Sequence, residues 1–271
     1  MHETKSCAII GAGLVGLCTA LEFLDQGYKV TLIDPQDPGL GASYGNAGFI
    51  ASEAIDPLAT SDSIRKALPM LLDQHGALSI PIGNLSQTIP WLIRFVLSSN
   101  ASSVNNTRSA LANLLNQAVP SWKTRLAREN LADYLIPCHY MRVWENPNGE
   151  KAARNEQAFY QKWGIAAEFA SFEQVKQLEP ALAHSIHHAV LLPHAHRIRD
   201  PYKLSQALLK AVLQKGGLVR KENVTMLSPQ SQQVEIKTDQ AAYIFDKAVV
   251  CAGAYSAKLL RSLGVHIPLM A

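Results

Sequence analysis

The chain is 271 residues long, 48% hydrophobic and 17% charged, enough apolar material to bury a substantial core in one large domain or two interleaved ones. A net charge of only +3, with no stripe of basic residues interleaved with aromatics, excludes a nucleic-acid-binding surface. Four cysteines, Cys7, Cys18, Cys138 and Cys251, lie far apart with no CxxC pair, which predicts free thiols in a reducing, cytoplasmic compartment.

The first predicted element is a short apolar strand over 6–10, running from Ser6 through Ile10 straight into Gly11-Ala12-Gly13-Leu14-Val15-Gly16. Leu14, Leu17, Leu21 and Leu24 then recur at helical spacing, and 28–33 reads as a second buried strand ending at Asp34. This is a complete βαβ unit with a dinucleotide fingerprint. Gly11 permits the tight turn, Gly13 lets a pyrophosphate approach the backbone, and Gly16 brings helix and sheet close. Ile10, Ala12, Leu14 and Val15 complete the segment facing the phosphates, where the helix N-terminus offers free N–H groups and a positive dipole end. Asp34 is placed for an adenosine ribose, and an acid there disfavours a 2′-phosphate and so argues against NADP.

Next comes a segment dense in small residues, 39–50, with Ser43, Asn46, Ala47 and Gly48 at its centre. Such a segment suits a chain threading along a flat, extended ligand, with Ser43 and Asn46 as polar contacts. Residues 85–97 are apolar but interrupted by Pro90 and Arg94 and too short to cross a bilayer. They predict a buried or half-buried helix, with a membrane-touching one as the alternative. A surface loop is expected over 98–107, rich in Ser and Asn, followed by helices over 110–129 and 152–163 and short strands over 140–145 and 188–192. Ser171 predicts an N-cap for a helix that stops at Glu179-Pro180.

His184, His187, His188, His194 and His196 invite a metal reading. His188 and His194 share a face on an alternating strand, but no Cys or carboxylate completes a ligand set, and no metal is expected. Beyond them, 199–204 leads into an amphipathic helix, Gly216-Gly217 and a strand over 218–221. Residues 245–252 form another strand, reaching Ala252-Gly253 before a helix with Ser256 as its expected cap.

The Ser43-x-x-Asn46-Ala47-Gly48 core strongly resembles the FAD-dependent amino-acid oxidoreductases, the superfamily of D-amino-acid dehydrogenase, D-amino-acid oxidase and glycine oxidase. The stretches at 171–180, 199–221 and 245–256 are similar to the same family. The resemblance implies an α/β fold, a Rossmann-like FAD-binding domain interleaved with an α+β substrate domain. On it, 1–80 form the first flavin segment, 81–195 the substrate or cap domain, and 196–271 the second flavin segment. It adds Val224, Ala252 and Gly253 to the cofactor contacts, Val224 through its backbone beside the adenine.

The implied chemistry is hydride transfer from the Cα of a D-amino acid or related small amine to flavin, with a quinone or oxygen as electron acceptor. That reaction serves amino-acid catabolism. It also leaves open a peripheral contact with the inner face of the cell membrane. Arg142, Arg197 and Arg199 are available for a substrate carboxylate, but the sequence assigns no catalytic residue. Family members continue well beyond residue 271, so a fragment, or a chain with a separate C-terminal partner, is expected to lack turnover by itself. The competing readings are an NAD-linked Rossmann dehydrogenase and a non-catalytic dinucleotide-binding remnant or subunit.

Overall fold

The computed structural model describes residues 4–72, 85–182 and 186–267. The chain divides into two units, the first made of 1–49, 123–136 and 197–271, the second of 50–122 and 137–196. The last segment of the first unit begins at Arg197. The first switch does not fall at residue 80, which lies outside the described residues, but after Phe49, and 123–136 rejoins the first unit. The apolar periodicity of 110–129 carries no mark of this second crossing, because a helix that passes from one unit to the other keeps one continuous pattern.

The first unit is built on β1 (Ser6–Ile10), α1 (Leu14–Asp25) and β2 (Lys29–Ile33). β1 pairs in parallel with β2 and with β11 (Lys247–Val250), and β2 pairs in parallel with β7 (Leu218–Arg220), giving the order β11-β1-β2-β7. Cys7 to Ile10 are all at most 3% exposed, so β1 is covered on both faces, as parallel strands are. Each such isoleucine contributes about 2 kcal/mol through burial. Leu17, Ala20 and Leu21 bury one face of α1. α8 (Pro201–Gln214) packs against α1. It starts at Asp200, whose carboxylate accepts from the Lys203 N–H at 2.9 Å, with Pro201 as first helical residue.

An antiparallel sheet of β8 (Val224–Pro229), β9 (Val234–Thr238) and β10 (Ala242–Phe245) follows, and α9 (Ser256–Arg261) comes after β11. Val224, Leu227 and Ile236 of this sheet share a core with Ala8, Ile10 and Ile33. Ser256 is the first residue of α9 and not its cap. The preceding turn at 253–255 is already helical in backbone, so no extended residue is left there to cap.

The second unit contains most of a sheet ordered β3 (Phe49–Ile50), β6 (His188–Ile198), β4 (Leu135–Trp144), with β5 (Glu168–Ala170) antiparallel on β6. Its helices are α2 (Ser61–Leu72), α3 (Leu85–Leu97), α4 (Ala101–Leu115), the start of α5 (Ala118–Arg128) as far as Trp122, α6 (Glu150–Lys162) and α7 (Phe172–Leu178). The loop expected at 98–107 is mostly helix. Asn100 caps it by accepting from the Ser103 N–H at 3.0 Å, so the Ser and Asn that look like loop residues occupy the first turns of α4. The single helix expected over 110–129 is two helices, because Pro120 lacks the N–H an interior turn needs and fits only in the first turn of α5. α3 is helical as expected, yet Ile89, Trp91, Ile93, Val96 and Leu97 are each about half exposed or more. The apolar arc of this helix, broken only on the side of Arg94, is wider than one packed side can cover.

The Ser171 cap is present as a full capping box. The Ser171 hydroxyl accepts from the Gln174 N–H at 3.3 Å, and the Gln174 side chain accepts from the Ser171 N–H at 2.8 Å. Ser171→Ala is expected to destabilise this region by about 1 kcal/mol. Native-state hydrogen exchange should show the loss confined to the amides of α7, and unchanged protection there would refute it.

Candidate functional site

The parallel sheet reverses its strand order at β1, with β2 and β7 on one side and β11 on the other. In such sheets the crevice beyond the carboxyl ends at the reversal is where ligands bind. Two loops flank it here, Gly11 to Gly16 after β1 and Cys251 to Gly253 after β11. The Ile10 carbonyl accepts from the Cys251 N–H at 2.7 Å, and the Gly11 N–H donates to the Ile33 carbonyl at 2.9 Å. These bonds stitch the ends of β11, β1 and β2 together.

The three glycines of the fingerprint differ in what requires them. Gly11 has φ +107°, and a Cβ there would collide with the Cys251 carbonyl oxygen. A Cβ on Gly16 would collide with the Gly11 carbonyl oxygen. Gly13, the N-cap of α1, has φ −74° and ψ −177°, a conformation open to any residue, and an added Cβ would meet only Ser43 Oγ at 3.5 Å. Nothing within the fold demands glycine at 13.

α1 begins without a side-chain cap from its N-cap residue and without an acidic residue in its first turn. Its dipole and the N–H groups of Val15 and Gly16, which have no partner among the described residues, are therefore left for an external anion. Ser43 stands over this end, its hydroxyl accepting from the Leu14 N–H at 3.2 Å, with its own proton still to donate. Val15 is 69% exposed beside it. A glycine-bearing helix start with two leading N–H groups open at the reversal point fits a pyrophosphate, and the residues present fit the ADP portion of FAD.

Asp34 reaches across to the glycine loop. One carboxylate oxygen accepts from the Ala12 N–H and the other from the Gln36 N–H, both at 2.8 Å. Each oxygen keeps a lone pair for a ribose hydroxyl, so Asp34 both shapes the loop and can serve a ligand. Lys221 holds the following turn through Asp37 at 2.9 Å.

Other predicted residues have roles internal to the fold. Asn46 turns back on its own segment, accepting from the Gly48 N–H at 2.7 Å and donating to the Ser43 carbonyl at 3.4 Å. Gly48, at φ +72°, lies against the Ile198 backbone and accepts from its N–H at 2.7 Å, so strand pairing alone requires this glycine. Ala47 is exposed, as is Gly253 at φ +54°, while Ala252 is half-buried. Val224 is 7% exposed with its side chain in the core, leaving only backbone for a ligand.

A buried carboxylate that carries no sequence signal stands nearby. Glu222, 6% exposed, accepts from Thr238 Oγ1 at 2.7 Å and from the Tyr243 hydroxyl at 2.8 Å, tying the chain after β7 to the antiparallel sheet. The hydrogen bond from Thr238 does most to hold its pKa below the usual carboxylate range. Its partners lie 16 and 21 residues away, beyond any local pattern.

The histidines do not converge. His188 bonds the Pro147 carbonyl at 2.9 Å and His196 the His194 carbonyl at 3.0 Å. His184 lies outside the described residues. Among the described residues no group of three or more His, Cys, Asp or Glu could hold a metal. Cys7, Cys18 and Cys251 are free thiols, and burial pushes those of Cys7 and Cys18 up to about 11. No described helix is long and apolar enough to cross a membrane.

Comparison with known proteins matches residues 6–271 to the family described as FAD dependent oxidoreductase. The chain is 35% identical to a D-amino-acid oxidase of Bradyrhizobium diazoefficiens over 277 aligned residues, covering 99% of this chain and 65% of that protein. It is 27% identical to a D-amino acid dehydrogenase of Vibrio vulnificus, covering 96% of this chain and 64% of that protein. The fold is similar to that of glycine oxidase from Geobacillus kaustophilus, at TM-score 0.66 and 17% identity, covering 97% of this chain and 60% of that one. The chain thus spans a little under two thirds of the length of these relatives. The family match sides with FAD against the NAD-linked reading.

Proposed function

The chain belongs to the FAD-dependent oxidoreductase family, and on that premise we propose that it carries the nucleotide-binding half of an enzyme that oxidises the CH–NH bond of a D-amino acid or a related small amine. The observation that carries the cofactor assignment is Gly13, a glycine the fold does not need, open at the uncapped start of α1. Gly11, Ala12, Gly13, Leu14, Val15 and Gly16 line the pyrophosphate path, with Ser43 donating its hydroxyl proton. Asp34 takes the ribose, the Val224 backbone faces the adenine, and Ala252 and Gly253 border the crevice from β11. Bound there, FAD supplies the two-electron acceptor for the substrate Cα hydride.

The protein's own task is then to orient the substrate and hold its carboxylate, which needs positioning more than acid–base groups. The substrate class rests on the relatives named D-amino-acid oxidase and D-amino acid dehydrogenase. Oxygen and a quinone are the proposed terminal acceptors, the latter reached by peripheral contact with a membrane.

The test is the visible spectrum of the purified chain. A flavin band at about 450 nm that survives gel filtration is expected, and binding of NAD in place of FAD would overturn the assignment. Asp34→Ala is expected to weaken ADP binding by about 1–3 kcal/mol, the scale of a charge-assisted hydrogen bond lost together with the loop it organises. Unchanged affinity in titration calorimetry would remove Asp34 from the site.

A further inference from the structure

The chain that leaves β7 is fastened on two sides. It starts against β2, where the Asp34 N–H donates to the Arg220 carbonyl at 3.1 Å. Because β7 runs parallel to β2, residues 221–223 leave the sheet at the same end as Asp34 and border the crevice there. The Lys221 ammonium meets Asp37 at 2.9 Å and joins the segments that follow the two strands.

On its other side the antiparallel sheet holds the same segment. The Asn223 N–H donates to the Asp239 carboxylate at 2.9 Å, and the Asn223 carbonyl accepts from the Asp239 N–H at 3.0 Å. The Gln240 side chain donates to the Lys221 carbonyl at 3.2 Å. Between these bonds lies Glu222, each of its carboxylate oxygens taken by a different strand. The Thr238 hydroxyl, at the end of β9, accepts from the Gln240 and Ala241 N–H groups at 3.1 and 2.9 Å, which leaves its proton to donate. The charged Oε2 of Glu222 at 2.7 Å is a stronger acceptor for it than the Ala241 carbonyl at 3.0 Å. In β10 the Tyr243 hydroxyl accepts from Arg220 Nη1 at 3.0 Å and gives its proton to Glu222 Oε1 at 2.8 Å. A carboxylate only 6% exposed costs free energy unless such bonds are complete, and a connection between two strands does not need one.

We propose that Glu222 is a positioning residue that gives the nucleotide site its preference for adenine, by fixing residues 221–224 so that their backbone meets the edge of the base in one register. Adenine carries a donor at N6 where guanine carries an acceptor at O6. A backbone carbonyl fixed opposite that position favours adenine and repels guanine, whereas a loose segment adapts to both. The inference rests on the nucleotide reading above, in which the Val224 backbone faces the adenine. It adds to that site a residue that acts through the backbone beside it.

The experiment measures the affinities of the full chain for ADP and for GDP by titration calorimetry and takes their ratio. Glu222→Gln keeps the size of the side chain and turns one acceptor into a donor, and Thr238→Val removes the hydroxyl without touching a charge. Each is expected to narrow the preference for ADP over GDP about tenfold, chiefly by weakening ADP. A merely structural role would lower the melting temperature and leave the ratio where it was, and that result overturns the proposal. Equal affinity of the native chain for the two nucleotides overturns it as well. Should Glu222→Gln fail to fold, the ratio in Thr238→Val decides. A native chain that binds neither nucleotide overturns the cofactor reading and this proposal with it, while ADP binding with an unaltered ratio in the variants overturns this proposal alone.

Discussion

Gly13→Val should abolish flavin binding while leaving the fold intact. The backbone at 13 has φ −74°, which valine adopts without strain, and the first atom its Cβ would meet is Ser43 Oγ at 3.5 Å. The substituted chain therefore keeps β1, α1 and their packing. Its two methyl groups, however, would stand over the leading N–H groups of α1, in the path of the pyrophosphate. Losing those N–H contacts and meeting a steric block should lower affinity by at least about a hundredfold, roughly 3 kcal/mol. Absorbance of the purified variant measures the loss, and circular dichroism and thermal melting check the fold. Gly16→Ala is the contrasting control. Its Cβ would strike the Gly11 carbonyl, so that variant should lose stability and flavin together. A Gly13→Val protein with full flavin occupancy would place the pyrophosphate elsewhere.

Arg125→Met should strongly destabilise the first unit. Arg125 is 5% exposed and sits among three carboxylates, Glu22 and Asp25 of α1 and Glu129 just beyond α5. Its Nη1 bonds Asp25 at 2.8 Å and Glu129 at 2.9 Å, while Nη2 lies against Glu22 as an ion pair without hydrogen-bond alignment. The two acids close α1 at the end where its dipole is negative, the unfavourable end for anions. Arg125 and Lys215 offset them, Lys215 reaching Asp25 at 2.5 Å and Glu129 at 3.0 Å.

Removing Arg125 leaves Glu129, whose side chain is 4% exposed, with Lys215 alone, and the expected loss is about 3 kcal/mol, the low end for a broken buried pair. Against a total stability of about 5–15 kcal/mol this is a large fraction. Urea titration would show it as a lower midpoint at unchanged slope. Adding Glu129→Gln should restore part of the loss, and a variant with the native midpoint would contradict the network.

The same cluster sets a pH dependence. Burial pushes the Asp25 carboxyl up, but hydrogen bonds from Lys215 and Arg125 outweigh it and hold the pKa below the usual 3.8. A group whose folded pKa is depressed stabilises above its unfolded pKa, and that contribution fades as pH falls through the folded value. The difference in stability between the native chain and Arg125→Met should therefore be complete at neutral pH and narrow below about pH 4.

Much of the candidate nucleotide site was legible in the sequence because its signals are short-range. Gly11, Gly13 and Gly16 lie within one turn and one helix start, and the apolar runs at 6–10 and 29–33 announce buried parallel strands whatever they pack against. Asp34 was legible as an acid at a strand end, though not as the clamp on Ala12. Asn46 and Gly48 carry a structural role that the sequence did not show. They look like ligand contacts because polar and small residues suit both a bound molecule and a tight turn, and only the bonds within 43–48 and to Ile198 reveal the turn. The loop expected at 98–107 failed likewise, since Ser and Asn favour caps and loops alike and Asn100 is a cap.

The βαβ unit, the glycine-bearing helix start and the resemblance to a flavoprotein family could be read from the chain alone, because backbone stereochemistry and periodicity act over a few residues. Three-dimensional packing was needed to see that the first unit ends at Phe49 and regains 123–136 and that Gly13 is the fingerprint glycine the fold itself does not require. It also decided that Arg125 neutralises Asp25, 100 residues before it. Burial and charge compensation act through space between groups whose separation along the chain is set by topology, and no local pattern carries that information.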